Sequence, residues 1–423
     1  MTRRRKKQLI IISLVLIVGI GVFFIFKKEK ETRIITQDQI EAVEALTMEE
    51  KLEDFEYLYS FVEENYPLLD VNERVNGIDW LGEKENFKKA IENASTDEIF
   101  MDEIGKIIEK LNDMHTSLIG MDIFKNYYAS YTDSKYEDNY KPWIEILEDE
   151  KTIKRYRFDK SQLEQVVPPT SDEVKKSTTQ YCQTDIIIPD EVAYLKIYRM
   201  NTDRIEKDGE IIREFIKEVK KYDKLIIDIR QMGGWVGDDN YWKKNIIEPM
   251  INKDLSVDSY ILMRGDYGKP FYEHIGMDFS QINEMSEDDL QRLNDELKTS
   301  FNYYHIQNLT ISPVEPIGFN GKIYILIDNK VIYKAENFAA FCKDSGFATL
   351  VGEPTSGINY ILDNLFFSLP NSGLVVEISG LVLLNNDGTI RQEVNIVPDI
   401  EVDAAIGSTY ERDKAIQYII NIK

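Results

Sequence analysis

Two short stretches of the sequence carry residues that could do chemistry. The first contains His115, one of only three histidines in 423 residues, between Asp113 and Thr116. The second contains Gly233 and Gly234, shortly after the predicted buried strand Leu225–Ile229. A histidine can act as a general base, and adjacent glycines can turn their N–H groups into a cleft because they lack a Cβ atom. Together with a nucleophile, these groups would support acyl transfer, in which amide donors stabilise an oxyanion.

Each of these groups also has a purely structural interpretation. Asp113 and Thr116 could hold His115 in place through hydrogen bonds, with no catalytic part. Gly233 and Gly234 could form a tight turn and do nothing else. The choice between a catalytic and a structural interpretation therefore depends on the secondary structure around these residues.

The most informative of these elements lie between residues 322 and 357. Ile323–Ile327 is a short apolar, β-branched run, which predicts a buried strand. Turn residues follow, and from Ala335 the apolar residues recur at helical spacing until a second strand at Ala348–Val351. A parallel βαβ unit places its first strand–helix junction, here Val331–Glu336, at the carboxyl edge of the sheet, where open α/β folds keep their sites.

Patterning along the rest of the chain predicts four regions. They are a cytoplasmic tip and membrane anchor at 1–31, a helical domain at 32–120, a linking β region at 121–188 and an α/β core domain at 189–423. In the linking region we predict strands at Trp143–Leu147 and Thr152–Phe158. In the core domain we predict an amphipathic helix at Asp208–Tyr222 with Ile211 facing inward, and a polar helix near Ser286–Thr299.

The apolar run at 9–26 predicts a membrane-spanning segment, since its length matches the hydrocarbon core of a bilayer. The basic residues at 3–7 outweigh the charges that follow the run, which predicts a cytoplasmic N-terminus and an extracellular body. No small-residue cleavage site follows the run, so we predict an uncleaved signal anchor. A cleaved signal peptide is the alternative.

Composition narrows the range of partners and cofactors. The formal net charge of −24 at pH 7 argues against nucleic-acid binding, because an acidic surface repels phosphates. Two cysteines, Cys182 and Cys342, are too few for a disulfide framework or a cysteine-based zinc site. We expect no metal and no cofactor.

Four motifs, in this order and spacing, resemble the tail-specific (C-terminal processing) serine peptidases of family S41, and within them the tricorn-like subgroup. The motifs are Asp113-x-His115-Thr116-Ser117, Asp228-Ile229-Arg230-x-x-Gly233-Gly234, Ala335-Glu336-x-Phe338 followed by Asp344-x-Gly346 and Gly352-Glu353-Pro354-Thr355-x-Gly357, and Glu393 ahead of Pro398-Asp399-Ile400. The resemblance covers roughly 45–120 and 190–420. It implies an α/β fold with a ClpP/crotonase-like βαβ core, an N-terminal helical domain and a polypeptide ligand.

The resemblance also implies a role for each candidate residue. Gly233 and Gly234 match the oxyanion hole of the family. His115 matches the base of the tricorn-like subgroup, which lies in a helical segment, and Glu393 matches the acidic residue that helps orient the catalytic group.

The nucleophile is the exception. In the family it lies three residues before the position of Glu336 and eleven before that of Asp344, and both counts end at Tyr333. The lysine of the Ser–Lys members falls on Ile358. A phenol has an ordinary pKa near 10 and is far bulkier than a serine hydroxymethyl group. An amide formed by Lys334 would be stable and would not turn over.

Three functions remain compatible with these residues. The leading hypothesis is a membrane-anchored, extracellular S41 homologue that binds a polypeptide segment or a protein C-terminus in its cleft and has lost hydrolysis. The second is an active hydrolase with an altered nucleophile at Tyr333 or Lys334. The third is a structural or signalling ectodomain with a vestigial cleft.

Overall fold

The computed structural model describes residues 44–133, 135, 137–158, 181–233, 237–357 and 364–422. The apolar run at 9–26, for which we predict a membrane anchor, lies outside these residues. Among the helices of the described ranges, none combines the length and the apolar character needed to cross a bilayer.

Helices make up most of the described chain before residue 159. They are α1 Met48–Asn65, α2 Leu69–Asn76, α3 Lys84–Glu92, α4 Asp97–Glu109, α5 Met121–Tyr131, α6 Glu137–Leu147 and α7 Glu150–Arg155. α1 begins at a capping box, in which Glu50 N–H donates to Thr47 Oγ1 (3.2 Å) and Glu50 Oε2 accepts from Thr47 N–H (2.8 Å). The helical prediction for the N-terminal region is thus confirmed from α1 onward.

The strands predicted at 143–147 and 152–158 are wrong. The first lies in α6, where Trp143, Ile144 and Leu147 are buried at helical spacing. The second lies largely in α7, where the Asp149 side chain accepts the N–H groups of Lys151 and Thr152 and so starts a helix. Short apolar and β-branched runs do not separate a strand from a buried helical turn.

The strands fall into three sheets. In chain order they are β1 Ser117–Leu118, β2 Cys182–Ile188, β3 Val192–Ile197, β4 Lys224–Asp228, β5 Leu255–Met263, β6 Ser280–Gln281, β7 Tyr303–Ile311, β8 Lys322–Ile327, β9 Thr349–Gly352, β10 Leu365–Ser368, β11 Val375–Ile378, β12 Leu381–Leu383 and β13 Ile400–Glu401. The largest sheet has the order β13-β9-β8-β4-β3-β2, parallel except for the antiparallel β2–β3 pair. The predicted α/β core with a buried parallel sheet is confirmed.

The remaining helices cover or flank these sheets. They are α8 Ile205–Val219, α9 Asp239–Trp242, α10 Glu248–Met250, α11 Lys269–His274, α12 Glu287–Leu290, α13 Asp295–Ser300, α14 Tyr333–Asp344 and α15 Lys414–Asn421.

Two details of the helix predictions need correction. Ile211, expected to face inward on α8, is 47% exposed, because the buried face of the helix runs from Asp208 through Ile212 to Val219. The single polar helix expected near 286–299 is two helices, α12 and α13. The Asn294 side chain accepts Leu297 N–H (2.8 Å) and so caps a new helix start.

The N-terminal helices and two smaller sheets share one hydrophobic core. These sheets have the orders β12-β5-β7-β6 and β1-β11-β10. The rings of Phe61 on α1 and Phe367 on β10 stack with centroids 3.7 Å apart. The indole of Trp80 is buried in the same core and donates to the Ile107 carbonyl (2.9 Å). The loop that carries His115 lies between Leu111 and Ile119, which are both buried in this core.

Candidate active site at the end of strand β8

The junction between β8 and α14 is a sharp turn whose last residue is strained. Asp328 Oδ1 accepts Lys330 N–H (3.0 Å) and closes the turn. Ile332 is extended, and Tyr333, the first residue of α14, has φ +52°. A left-handed backbone at a bulky residue persists only where the surrounding structure imposes it. A side chain on such a strand-to-helix turn projects at the carboxyl edge of the sheet.

The loop after β4 lies against this turn. Asp328 Oδ1 also accepts Gln231 N–H (3.0 Å), so one buried carboxylate ties the two loops together. A Cβ atom on Gly233 would lie 3.7 Å from the Lys330 carbonyl oxygen, which places this glycine beside the turn. Its own N–H, however, donates to the Gln231 carbonyl (2.9 Å). Gly234, the second predicted oxyanion donor, lies outside the described residues.

A buried ion network anchors that loop to the rest of the core. The Arg230 guanidinium contacts Asp228 (2.7 Å) and Asp413 (2.9 Å), and its side chain has no exposed surface. Lys196 Nζ also forms an ion pair with Asp228 (3.0 Å). These cations hold the pKa of Asp228 below its usual value although burial opposes this. The Asp228-Ile229-Arg230 motif is therefore accounted for by packing and charge pairing.

His115 lies in a loop between α4 and β1, not in the helical segment that we expected. α4 ends at Glu109 because Asn112 has φ +56° and turns the chain away from the helix. The Asp113 carboxylate then accepts His115 N–H (3.1 Å) and Thr116 Oγ1–H (2.6 Å). This Asx turn presents the imidazole at the start of β1.

The structure brings His115 and Tyr333 together. Their ring centroids are 6.0 Å apart at an interplanar angle of 71°, an edge-to-face contact. Tyr333 is only 5% exposed, and burial raises the pKa of its phenol above the ordinary value of 10.0. The phenol is therefore neutral at pH 7. His115 Nε2 is buried and makes no hydrogen bond to any described residue.

Glu393 is engaged elsewhere. Its two carboxylate oxygens accept from Arg74 Nε (2.7 Å) and Nη2 (2.6 Å), a bidentate pair that joins the C-terminal tail to α2. Within the described part of the chain it makes no hydrogen bond to His115. The role expected for Glu393, orienting the catalytic group, stays a prediction.

Glu377, which the sequence did not single out, is a carboxylate on which the charge of His115 acts. Ser117 on β1 faces Glu377 on β11 in the strand register. Burial raises the pKa of Glu377, while hydrogen bonds from Asn364 and Tyr127 and the charge of His115 lower it. Its only signal in the sequence is a charged residue inside an apolar strand, Val375–Ile378.

Glu336 lies one helical turn after Tyr333 and is fully buried. Its Oε1 accepts the Thr355 hydroxyl (2.8 Å), while Oε2 has no hydrogen-bond partner among the described residues. Burial raises its pKa to about 7, although the Thr355 hydrogen bond and the Arg391 charge oppose this. The motif pair Glu336 and Thr355 thus joins α14 to the loop after β9.

The other candidate nucleophile, Lys334, and the nearby Ser356 each have their own contacts around the turn. Lys334 Nζ forms an ion pair with Asp239 Oδ2 (3.0 Å). Ser356 donates its N–H to the Val331 carbonyl (3.3 Å), so the Thr355–Gly357 loop packs against the turn. Ile358, the position of the family lysine, lies outside the described residues.

A cavity of about 250 Å³ opens beside His115. Its lining mixes polar and apolar side chains, among them residues of α2, the His115 loop, the Thr355–Gly357 loop and the tail. It includes Asn72, His115, Ser356 and Gln392. Gln392 Oε1 is buried and, like His115 Nε2, has no hydrogen-bond partner in the described ranges. Buried polar atoms that lack a hydrogen-bond partner favour the binding of a ligand that can supply one. No group of three or more metal-ligating side chains occurs within the described ranges.

The protein-family model described as peptidase family S41 matches residues 191–402, half of the chain. The chain belongs to peptidase family S41. The mixed α/β core of this S41 protein, with its N-terminal helices, is the fold of that family.

Solved structures resemble this S41 protein at low sequence identity. A candidate peptidase from Parabacteroides merdae has 16% identity and a TM-score of 0.52, over 88% of this chain and 95% of that chain. Mature CPAF, solved with lactacystin, has 12% identity and a TM-score of 0.48, over 84% and 94%. The photosystem II D1 C-terminal processing protease has 12% identity and a TM-score of 0.44, over 86% and 96%. No curated protein sequence matches the chain significantly.

Proposed function

We propose that this S41 protein binds an extended polypeptide and does not hydrolyse it, because Tyr333 occupies the position of the family's serine nucleophile. The observation that carries the proposal is the contact between the Tyr333 and His115 rings at the strained turn after β8. The positive φ at Tyr333 and the burial of its ring support the proposal, because a buried ring at this turn would fill the space that a scissile carbonyl needs.

Three features argue against a tyrosine nucleophile. The phenol is neutral at pH 7, because burial raises its pKa. His115 meets it ring edge to ring face, a geometry suited to packing. Lys334, the other group that could activate a phenol, is paired with Asp239. A general base must come within hydrogen-bond reach of the proton that it removes.

The cavity beside His115 supports the binding half of the proposal. Its volume of about 250 Å³ suits a few side chains of a peptide, and its lining offers amide, hydroxyl and imidazole groups. Extended peptides are recognised through hydrogen bonds to such groups and to open strand edges. Peptidases of this family act on polypeptides, so a retained cleft favours the same class of ligand.

We test this with random decapeptides and the full-length protein, following binding by fluorescence anisotropy and cleavage by mass spectrometry. Saturable binding without cleavage is expected. Val75 lines the mouth of the cavity and is 56% exposed, so Val75→Trp should block the cavity and weaken binding at least about tenfold. Val314, 47% exposed and outside the cavity lining, provides the matched control Val314→Trp, which should bind normally.

Two results would contradict the proposal. Cleavage that disappears in Tyr333→Phe or Lys334→Ala would instead indicate a hydrolase with an altered nucleophile. No binding to any decapeptide would favour the structural or signalling ectodomain with a vestigial cleft.

We further propose that residues 9–26 anchor the protein in the cell membrane with its body outside. The apolar length of this run and the basic residues at 3–7 support the proposal. An N-terminal tag should remain with the membrane fraction, and a protease added to intact cells should degrade the body. Soluble protein in the medium without the tag would indicate a cleaved signal peptide.

A further inference from the structure

A second cavity, of about 200 Å³, lies along another face of α14. Lys334, Asn337, Phe341 and Asp344 line it at helical spacing. The opposite wall comes from the antiparallel strands β5 and β7, including Ser259 of β5. This cavity shares no lining residue with the cavity beside His115.

The cavity contains a buried cation that forms no close ion pair with a described residue. Arg391 is 4% exposed, and the only hydrogen bond that its guanidinium makes to a described residue runs from Nε to Asn385 Oδ1 (3.2 Å). No carboxylate of the described chain lies within 4.0 Å of it. Lys243 also lines the cavity, without such a carboxylate, and packs over the Trp242 ring at 5.4 Å. Burying unpaired charge is costly, so an anion would be stabilised here.

Acidic residues around the cavity reduce this positive charge without cancelling it. Asp239 is paired with Lys334 at 3.0 Å. Asp344 is the other carboxylate of the lining; burial raises its pKa, and the Arg391 charge opposes this. Glu336, behind the cavity, has a pKa of about 7 and is only partly ionised at neutral pH. The two cations Arg391 and Lys243 therefore exceed Asp344 and the partly ionised Glu336, and the net charge around the cavity is positive.

An open strand edge leads to the cavity. β12 pairs with the end of β5, and the last bond of this pairing runs from Leu384 N–H to the Tyr260 carbonyl (2.9 Å). Residues of β5 before Tyr260 pair with β7 on one side. On the other side they have no partner strand among the described residues. Main-chain groups two residues apart on a strand point the same way. Asp258 and Ser256 therefore direct theirs to the open edge, while the Ser259 side chain lines the cavity.

We propose that this cavity binds a carboxylate carried by an extended polypeptide, which pairs with β5 where β12 ends. The proposal rests on polypeptide binding as the function and specifies which polypeptides are preferred. Arg391 offers the planar donor pair that suits a carboxylate, and Lys243 adds charge. Gln392 lines the cavity beside His115 and its neighbour Arg391 lines this one, so the two cavities adjoin at this part of the tail. The carboxylate is either the chain terminus or an Asp or Glu side chain.

The test uses full-length protein and three decapeptide pools: free acids, C-terminal amides, and free acids without Asp or Glu. Weaker binding of the amides identifies the chain terminus, and weaker binding of the third pool identifies side chains. Lys243→Gln should weaken binding of the preferred pool at least about tenfold. Asp344→Asn removes a repelling charge and should tighten it about threefold. Lys244, exposed and outside the cavity lining, provides the control Lys244→Gln, which should change nothing.

Equal binding of all three pools, or unchanged binding in both Lys243→Gln and Asp344→Asn, would overturn the proposal. If Val75→Trp still weakened binding in that case, polypeptide binding at the cavity beside His115 would stand and only the carboxylate site would fall. If no pool bound to the wild-type protein, both proposals would fall. Neither Lys243 nor Asp344 is completely buried, so both variants are expected to fold, and circular dichroism checks this.

Discussion

Replacing Tyr333 by serine is expected to let a fluorophosphonate probe label the protein covalently, while the wild-type protein stays unlabelled. The substitution removes the ring that packs on His115 and places a hydroxyl group on the strained turn. His115 Nε2, buried without a hydrogen-bond partner in the described structure, then faces open space beside that hydroxyl group. A serine with a histidine within reach is the minimal pair for acylation.

Peptide hydrolysis by the same variant should remain slow. Gly233 N–H donates to the Gln231 carbonyl, so it is not directed at an oxyanion in this conformation. Loss of one oxyanion donor costs about a hundred- to a thousandfold in turnover. Labelling without efficient peptide cleavage is therefore the expected combination, read by mass spectrometry of the labelled peptide and by release of peptide fragments.

The matched control is Tyr333→Ala, which leaves the same cavity without a hydroxyl group. Truncation of a buried aromatic side chain costs about 3 to 5 kcal/mol, so both variants must first be shown to be folded. Labelling of the serine variant that disappears when His115 is also replaced by alanine would support the pairing. A folded serine variant that reacts no faster than the alanine variant would show that the site has lost more than its nucleophile.

The second large effect concerns the pH dependence of stability. Glu336 has a folded pKa of about 7, raised by burial from 4.5. Between these values the unfolded chain has lost the proton and the folded chain keeps it. The contribution of Glu336 to the free energy of unfolding is therefore fully present below pH 4.5, and it declines as the pH rises to about 7. At about 1.4 kcal/mol per pKa unit the total loss is about 3 kcal/mol.

Glu336→Gln should remove this decline, since an amide keeps an oxygen for the Thr355 hydroxyl and has no proton to lose. The difference in unfolding free energy between wild type and variant, from urea titrations at several pH values, should change steadily across the interval. Thr355→Val removes a hydrogen bond that lowers the pKa and should move the upper end of the interval to higher pH. A difference that stays constant from pH 4.5 to 7 would refute the assignment.

The parts of the site that the sequence predicted are those set by local backbone geometry. The βαβ unit around Tyr333 follows from a buried strand, a turn and a helical pattern that are adjacent in the chain. His115 was recognised by its motif, but its surroundings were not, because Asp113 and Asn112 end the helix earlier than the pattern suggested.

The parts that the sequence missed depend on pairing between distant segments. Glu377 meets the His115 loop only because β1 pairs with β11, and strand register between remote segments cannot be read from composition. Glu393 carries the expected motif, yet Arg74 from a distant helix takes up both of its oxygens. The unpaired charge of Arg391 emerges only once the walls of its cavity are in place.

The core shared by the N-terminal helices and strands β10 and β11 has a consequence for how the chain folds. The helices of the first third expose an apolar face until Phe367 and its neighbours, more than half the chain later, have been synthesised. Long-range closure of this kind slows folding, because loop entropy is lost before the contacts form. The His115 loop, tied to β11 through β1, is therefore fixed late in synthesis, and a nascent chain cannot assemble this site one domain at a time.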